Sequence, residues 1–181
     1  KEFTLSKILQ DGKPIVLISS SYTCPVFRGK VPIINQLFDQ YKGQVNFYIV
    51  YTVEAHPNID ISPYFGRVNT GAANVNEGIL YRQPVLYSDR LNIVKDMLKN
   101  MNIQVQILVD GPCNEWWLHY GPAPNIMTLI NSNGTVFSKH DWLNRTPNDL
   151  ECDIKKLLNG TSDCNVSNTG DFKHSILSDT I

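Results

Sequence analysis

The chain has 181 residues, of which 42% are apolar and 18% charged, with a formal net charge of −1; that is enough for one globular domain with a full core. Its lysines stand singly or in the pair Lys155-Lys156, so the sequence offers no concentrated basic face for nucleic acid or an anionic membrane surface. The longest apolar runs, such as Val45 to Val53, fall far short of the roughly 18–20 residues that a bilayer span requires.

The apolar run from Pro14 to Ile18 predicts a strand over Ile15 to Ser19, followed by Ser20-Ser21-Tyr22-Thr23-Cys24-Pro25 and an amphipathic stretch from Phe27 to Tyr41. The helix is expected over Val31 to Tyr41, with Ile33, Ile34, Leu37 and Phe38 on one face. This order sets Cys24 at the junction of a strand and a helix. Free N–H groups and the positive dipole end of a helix N-terminus favour thiolate over thiol, so Cys24 is expected to be a nucleophile near neutral pH. Pro25 suits the first helical position, where its missing N–H leaves nothing unpaired. The alternative for Cys24 is a small buried apolar residue.

A strand rich in β-branched and aromatic residues is predicted over Val45 to Thr52. An irregular segment from Pro57 to Tyr87 follows, too long for a plain connector and expected to pack over one end of the sheet. Ser88 is the predicted N-cap of a helix over Asp89 to Asn100, whose Leu91, Val94, Met97, Leu98 and Met101 recur at helical spacing. Next come a strand over Gln104 to Val109, a short helix over Asn114 to Tyr120, and Pro124 ahead of a strand over Ile126 to Ile130. Asn131-Ser132-Asn133-Gly134 is a hairpin turn into a strand over Thr135 to Lys139. Thr146-Pro147-Asn148-Asp149 opens a last helix reaching about Leu158. This order is that of the thioredoxin-like α/β fold, a central mixed sheet with helices on both faces. Residues 1–160 are expected to form that single domain, and 161–181 a polar C-terminal tail.

In such a fold Cys24 and the proline before the hairpin, Pro124, meet at one end of the sheet, where open α/β sheets build their ligand crevice. Cys113 lies just beyond another parallel strand and is a candidate resolving thiol, with an ordinary loop cysteine as the alternative. Cys152 and Cys164 flank a polar turn after the last helix, as suits a short structural disulfide in an oxidising compartment. Asn133, Asn144, Asn159 and Asn165 each open an Asn-X-Ser/Thr glycosylation pattern. Together with a start at Lys1 rather than methionine, these signals lead us to expect a secreted glycoprotein; fortuitous sequons in a cytosolic protein are the alternative. No metal is expected, since the histidines at 56, 119, 140 and 174 lack ligand spacing and no Cys-x-x-Cys pair occurs. No glycine-rich phosphate loop is present in the sequence either.

Several of these segments, taken together, carry a resemblance. Ser21-Tyr22-Thr23-Cys24-Pro25-Val26-Phe27, the strand exit Tyr51-Thr52-Val53-Glu54-Ala55-His56, Ser88-Asp89-Arg90-Leu91, Val109-Asp110 before Asn114 and Tyr120, and Trp142-Leu143-Asn144 resemble the iodothyronine deiodinase family. The match extends from about Gly12 to Leu158. The resemblance implies a thioredoxin fold and reductive removal of iodide from an aromatic ring, with no bound cofactor and a thiol reductant as cosubstrate. It puts Cys24 at the position of the family's selenocysteine, and Glu54 and His56 on its Glu-Ala-His element. Tyr22, Thr23, Asn114, Tyr120 and Pro124 are then expected to line the pocket.

The departures from the family pattern are specific. Cysteine stands where selenocysteine would, so the attacking atom is less ionised and slower. Tyr22 replaces a cysteine, Gln83-Pro84 occupies the neighbourhood of a second histidine, and Ile126 stands where an arginine would hold the amino-acid end of the hormone. The family's N-terminal membrane anchor is not in this chain.

The reading that follows is a secreted, deiodinase-like thiol oxidoreductase acting on a small, aromatic molecule through Cys24. One alternative keeps the same crevice for an unrelated ligand bound or oxidised without a thiol cycle, lined also by Trp116, Trp117 and His119. Another is a purely structural glycoprotein. The expected partner is a small molecule, with no nucleic acid and no membrane; homo-oligomerisation stays open, members of the family associating as dimers.

Overall fold

A computed structural model describes residues 3–121, 124–146 and 148–160. Five strands, β1 (Ile15–Ser20), β2 (Asn46–Tyr51), β3 (Gln106–Val109), β4 (Met127–Ile130) and β5 (Val136–His140), form one sheet in the order β3-β2-β1-β4-β5. The first three run parallel, while β4 is antiparallel to β1 and β5 to β4. Among the described residues six α-helices accompany the sheet: α1 (Leu5–Ile8), α2 (Pro25–Tyr41), α3 (Ala72–Glu77), α4 (Tyr87–Asn100), α5 (Glu115–His119) and α6 (Asp149–Asn159). The expected α/β class, mixed sheet and helices on both faces are therefore present.

β1 is the central strand, and all six of its residues are buried. Its alternation divides them between two apolar layers, as the pleat requires. Val16 and Ile18 face the larger layer with Phe47, Ile49, Met127 and Leu129, which α2, α4 and α6 cover through Ile34, Leu37, Met97, Leu150 and Ile154. Ile15 and Leu17 face a smaller layer with Val50 and Ile130, closed by Ile8, Leu9 and Trp116. Packing on both faces explains why this strand reads as a continuous apolar run rather than an alternating one.

Besides shifts of one or two residues at several strand ends and the short N-terminal helix α1, three differences from the expected elements bear on the site. The first long helix starts at Pro25, the first helical position expected of that proline, and continues through Pro32, so it is helical over the whole segment after Cys24 and not only over Val31 to Tyr41. Ser88 is inside α4, whose N-cap is Leu86; the Asp89 carboxylate accepts the Leu86 N–H at 2.9 Å and does the capping from three residues within. The segment 57–87 is not wholly irregular, since it contains α3. The Asn-Gly hairpin forms as predicted, with Gly134 at φ 87° and the Asn133 carboxamide accepting the Thr135 N–H at 3.0 Å. Residues 161–181, expected as a polar tail and including Cys164 and Asn165, lie outside the described residues.

Candidate functional site

β1 and β2 lie side by side in parallel, so their carboxyl ends deliver the Cys24 turn and the Glu54-Ala55-His56 exit to the same end of the sheet. Glu54 joins the two. Its side chain is fully buried and accepts four hydrogen bonds: from the Ser21 hydroxyl at 2.8 Å, the Thr23 N–H at 2.7 Å, the Thr23 hydroxyl at 2.5 Å, and the Tyr51 hydroxyl. Oε2 takes three of these bonds and Oε1 the one from Tyr51, so both oxygens meet donors. Burial and the adjacent carboxylate push the Tyr51 phenol well above its ordinary range, so Tyr51 keeps its proton and donates it to Glu54. The Ser21 hydroxyl also accepts the Ala55 N–H at 2.9 Å, and the Thr23 hydroxyl accepts the His56 N–H at 3.0 Å. Two segments some thirty residues apart in sequence are thus locked into one polar unit.

Cys24 is the N-cap of α2, as expected, and its sulfur accepts the Phe27 N–H at 3.4 Å. Its ionisation is not as expected. Cys24 is only 4% exposed, and burial pushes the thiol above its ordinary 9.0; the Phe27 and Val26 N–H groups and the Arg28 charge oppose that shift without reversing it. The helix N-terminus acts in the predicted direction and desolvation outweighs it. Alkylation of Cys24 by iodoacetamide is therefore expected to keep accelerating beyond pH 9, because the native thiol ionises above its ordinary value. A plateau below pH 8 would show an activated thiolate instead.

The 57–87 segment holds the His56 ring. Its Nδ1 lies 3.0 Å from the Asn69 carbonyl oxygen, and the ring lies 5.2 Å from that of Phe65. A carbonyl can only accept, so Nδ1 carries the hydrogen and Nε2 is left as an acceptor. Burial lowers the His56 pKa below 6.5 despite the Asn69 bond, so the imidazole is neutral at pH 7. Glu54 thus shapes the Cys24 turn, while the backbone of the 57–87 segment orients the histidine.

That segment also covers the site. α3 lies between two glycines with left-handed backbones, Gly71 at φ 78° and Gly78 at φ 69°, conformations that side chains strain against. The Asn74 amide, 1% exposed, donates to the Thr23 carbonyl at 2.8 Å and to the Thr70 carbonyl at 2.7 Å. Arg28 links Glu77 at 3.1 Å and the Tyr22 carbonyl at 2.7 Å. Gln83 pairs in both directions with the Glu54 backbone, accepting its N–H at 2.7 Å and donating to its carbonyl at 3.0 Å. Asn74→Ala removes the clasp on the Cys24 turn and is expected to speed Cys24 alkylation several-fold at constant pH, since opening of the cover controls access. An unchanged rate would mean that α3 does not guard the sulfur.

The other expected site residues are spread more widely. Tyr22 lies beside the Cys24 turn and is buried, its ring 5.2 Å from that of Tyr81. Asn114 belongs to a second cluster, where buried Arg90 donates to the Asp110 and Gly111 carbonyls and to the Asn114 carboxamide. In the same cluster the Asp110 carboxylate accepts the Trp116 and Trp117 N–H groups at the start of α5. Tyr120 is 58% exposed and stacks on Trp116 at 4.9 Å. Pro124 is half-buried in the turn before β4. Cys113 is a free, exposed thiol, and Cys24 is free as well. Asn133 and Asn159 are exposed and Asn144 is half-buried; Asn165 and the proposed Cys152–Cys164 pairing reach outside the described residues. Tyr51, Ser21, Asn74 and Tyr64 were not picked out by residue type. Tyr64 accepts the Trp117 indole N–H at 2.9 Å and thereby ties the cover to α5.

Residues 2–141 match the family model for iodothyronine deiodinase. The chain belongs to the iodothyronine deiodinase family. The matched region includes Cys24, Glu54, His56 and the whole 57–87 segment, so the polar unit described above lies within the part of the chain that matches the family. No individual curated protein matches the chain by sequence. Among solved structures, a candidate protein disulfide isomerase from Bacteroides thetaiotaomicron is 16% identical, covers 87% of this chain and 80% of its own, and has a TM-score of 0.59. A candidate thiol:disulfide interchange protein DsbE from Chlorobium tepidum is 17% identical over 85% of this chain and 84% of its own, at a TM-score of 0.55. A candidate thioredoxin from Neisseria meningitidis is 14% identical over 84% and 78%, also at 0.55. At such identities these likenesses establish the thioredoxin-like fold of this deiodinase relative. Where other family members are expected to carry a second histidine, Gln83 holds the Glu54 backbone instead.

Proposed function

We propose that this protein is a secreted, thiol-dependent reductive enzyme that removes iodide from small iodinated phenols through Cys24. The observation that supports this most directly is the buried Glu54 network, which ties the turn that carries Cys24 to the backbone of His56 within a deiodinase-family domain. The Cys24 thiolate would attack the ring iodine; the carbon–iodine bond breaks, a sulfur–iodine bond forms, and the ring carbon takes a proton. A thiol cosubstrate then displaces iodide to give a mixed disulfide, and a second thiol equivalent restores Cys24. In the resting fold His56, neutral and with Nε2 as an acceptor, suits the phenol hydroxyl of the substrate. Glu54 holds the turn that carries the sulfur. Cys113, exposed and free, is the candidate resolving thiol, which would close a Cys24–Cys113 disulfide and spare one cosubstrate. Secretion rests on the glycosylation patterns at Asn133, Asn144, Asn159 and Asn165 and on the proposed Cys152–Cys164 bridge.

Incubation of the full chain with 3-iodo-4-hydroxybenzoate and dithiothreitol tests this reading. Iodide release that needs the reductant and saturates with substrate is expected. Its absence in the presence of excess thiol, with Cys24 shown by mass to be reduced, would overturn it. One observation favours the alternative without a thiol cycle: Cys24 is buried and its thiol is pushed upward, the reverse of what a ready nucleophile needs. Under that reading a ligand occupies the crevice and Cys24 is part of its wall.

A further inference from the structure

A cleft of about 440 Å³ opens on the flank of the Cys24 turn, between the start of α2, the end of α3 and the end of α4. Cys24, Glu54 and His56 do not line it. Its walls include Tyr22, Arg28, Glu77, Ile79, Tyr81 and Met101. Three features decide what would fit. The Arg28 side chain is only 8% exposed, yet Glu77, its one carboxylate partner among the described residues, is 52% exposed. A largely desolvated cation is thus neutralised by a group that is half in water. The aromatic wall is fixed in advance, because Asn100 holds the Tyr22 hydroxyl at 3.1 Å and Asp96 accepts from the Tyr81 hydroxyl at 3.0 Å. Ile79 and Met101 supply an apolar side, the thioether being a favourable neighbour for a ring. The volume falls in the ordinary range for small-molecule sites.

We infer that this cleft binds a small aromatic carboxylate, its ring against Tyr81, which buried Tyr22 backs, and Met101, and its carboxylate on Arg28 in the place that Glu77 takes in the free protein. One guanidinium with its planar fork suits a carboxylate, and no second cation lines the cleft to hold a doubly charged phosphate. Glu77 can be displaced because its own half-exposed carboxylate rehydrates, while the incoming carboxylate keeps the buried guanidinium paired. The pre-set rings lower the ordering cost of binding. The inference goes beyond the thiol reading and does not depend on it.

The test is titration of the full chain with 4-hydroxyphenylacetate, followed by the NMR methyl signals of Met101 and Ile79. Saturable shifts are expected, with a Kd between about 0.1 and 10 mM for so small a ligand. The neutral counterpart 4-hydroxyphenethyl alcohol should bind at least about fivefold more weakly, because it lacks the charge-assisted bonds to Arg28. Acetate, lacking the ring, should leave Met101 unmoved over the same range. Glu77→Gln, a surface change that removes the competing carboxylate, should tighten binding about two- to fivefold. Cys24→Ser should leave binding intact, which separates this site from the thiol chemistry. Shifts that do not saturate, equal affinity for the alcohol, no tightening in Glu77→Gln, or loss of binding in Cys24→Ser would each overturn the assignment.

Discussion

Glu54→Ala is expected to lose about 3–5 kcal/mol of folding stability, the summed cost of leaving several buried donors without their acceptor. The truncation strips the acceptor from the Ser21, Thr23 and Tyr51 hydroxyls and from the Thr23 N–H at one stroke. Hydroxyls can rotate toward other acceptors, but a backbone N–H cannot, so the Thr23 amide would be left bare in a site without solvent. For a chain of this size that corresponds to a fall in Tm of roughly 6–20 °C. Glu54→Gln should cost less, roughly 1–3 kcal/mol, because one carbonyl oxygen survives while the new amide turns donors toward donors. Thermal unfolding of the two variants beside the wild type measures both values. A loss below about 1 kcal/mol in Glu54→Ala would show that the carboxyl is not what ties the two strand exits together.

Cys24→Ser should have the opposite character, with turnover falling roughly 10³-fold or more and the fold unharmed. Serine is a better N-cap than most residues, and its oxygen can accept the same Phe27 N–H that the sulfur accepts. Stability should therefore hold or rise by up to about 1 kcal/mol, which rules out unfolding as the cause of lost activity. The hydroxyl cannot take the place of a thiolate as acceptor of iodine, since it does not ionise in the working range of pH. Iodide release and thermal unfolding, measured on the same preparation, separate the two effects. Retention of more than a tenth of the wild-type rate would transfer the chemistry to another group and favour the reading without a thiol cycle.

The polar unit around Glu54 was only half legible in the chain. Cys24, Pro25, Glu54 and His56 could be picked out because each follows a run whose periodicity marks a strand end or a helix start. Ser21 and Tyr51 could not, because nothing in a serine-rich turn or a strand tyrosine says that its hydroxyl will meet a carboxylate across the sheet. Asn74 and Gln83 lie in a segment without repeating pattern, where contacts are set by the path of the loop rather than by local preference. The N-cap of α4 shows the same limit at short range. Ser88 has the right side chain for a cap, but Asp89 reaches back to the Leu86 N–H and moves the boundary by two residues.

Alternating periodicity, the Asn-Gly turn and the position of a cysteine between strand and helix were properties of the sequence alone. They determined the α/β class, the order of the elements and which sulfur stands at the head of α2, because each depends on residues close together in the chain. Tertiary structure decided the state of that sulfur. Helix polarity favours its ionisation and burial opposes it, and the turn that carries it is clasped by Asn74 from the distant 57–87 segment. A local field can be read from neighbours in sequence; desolvation is the summed effect of everything that excludes water, and only the assembled fold contains that sum.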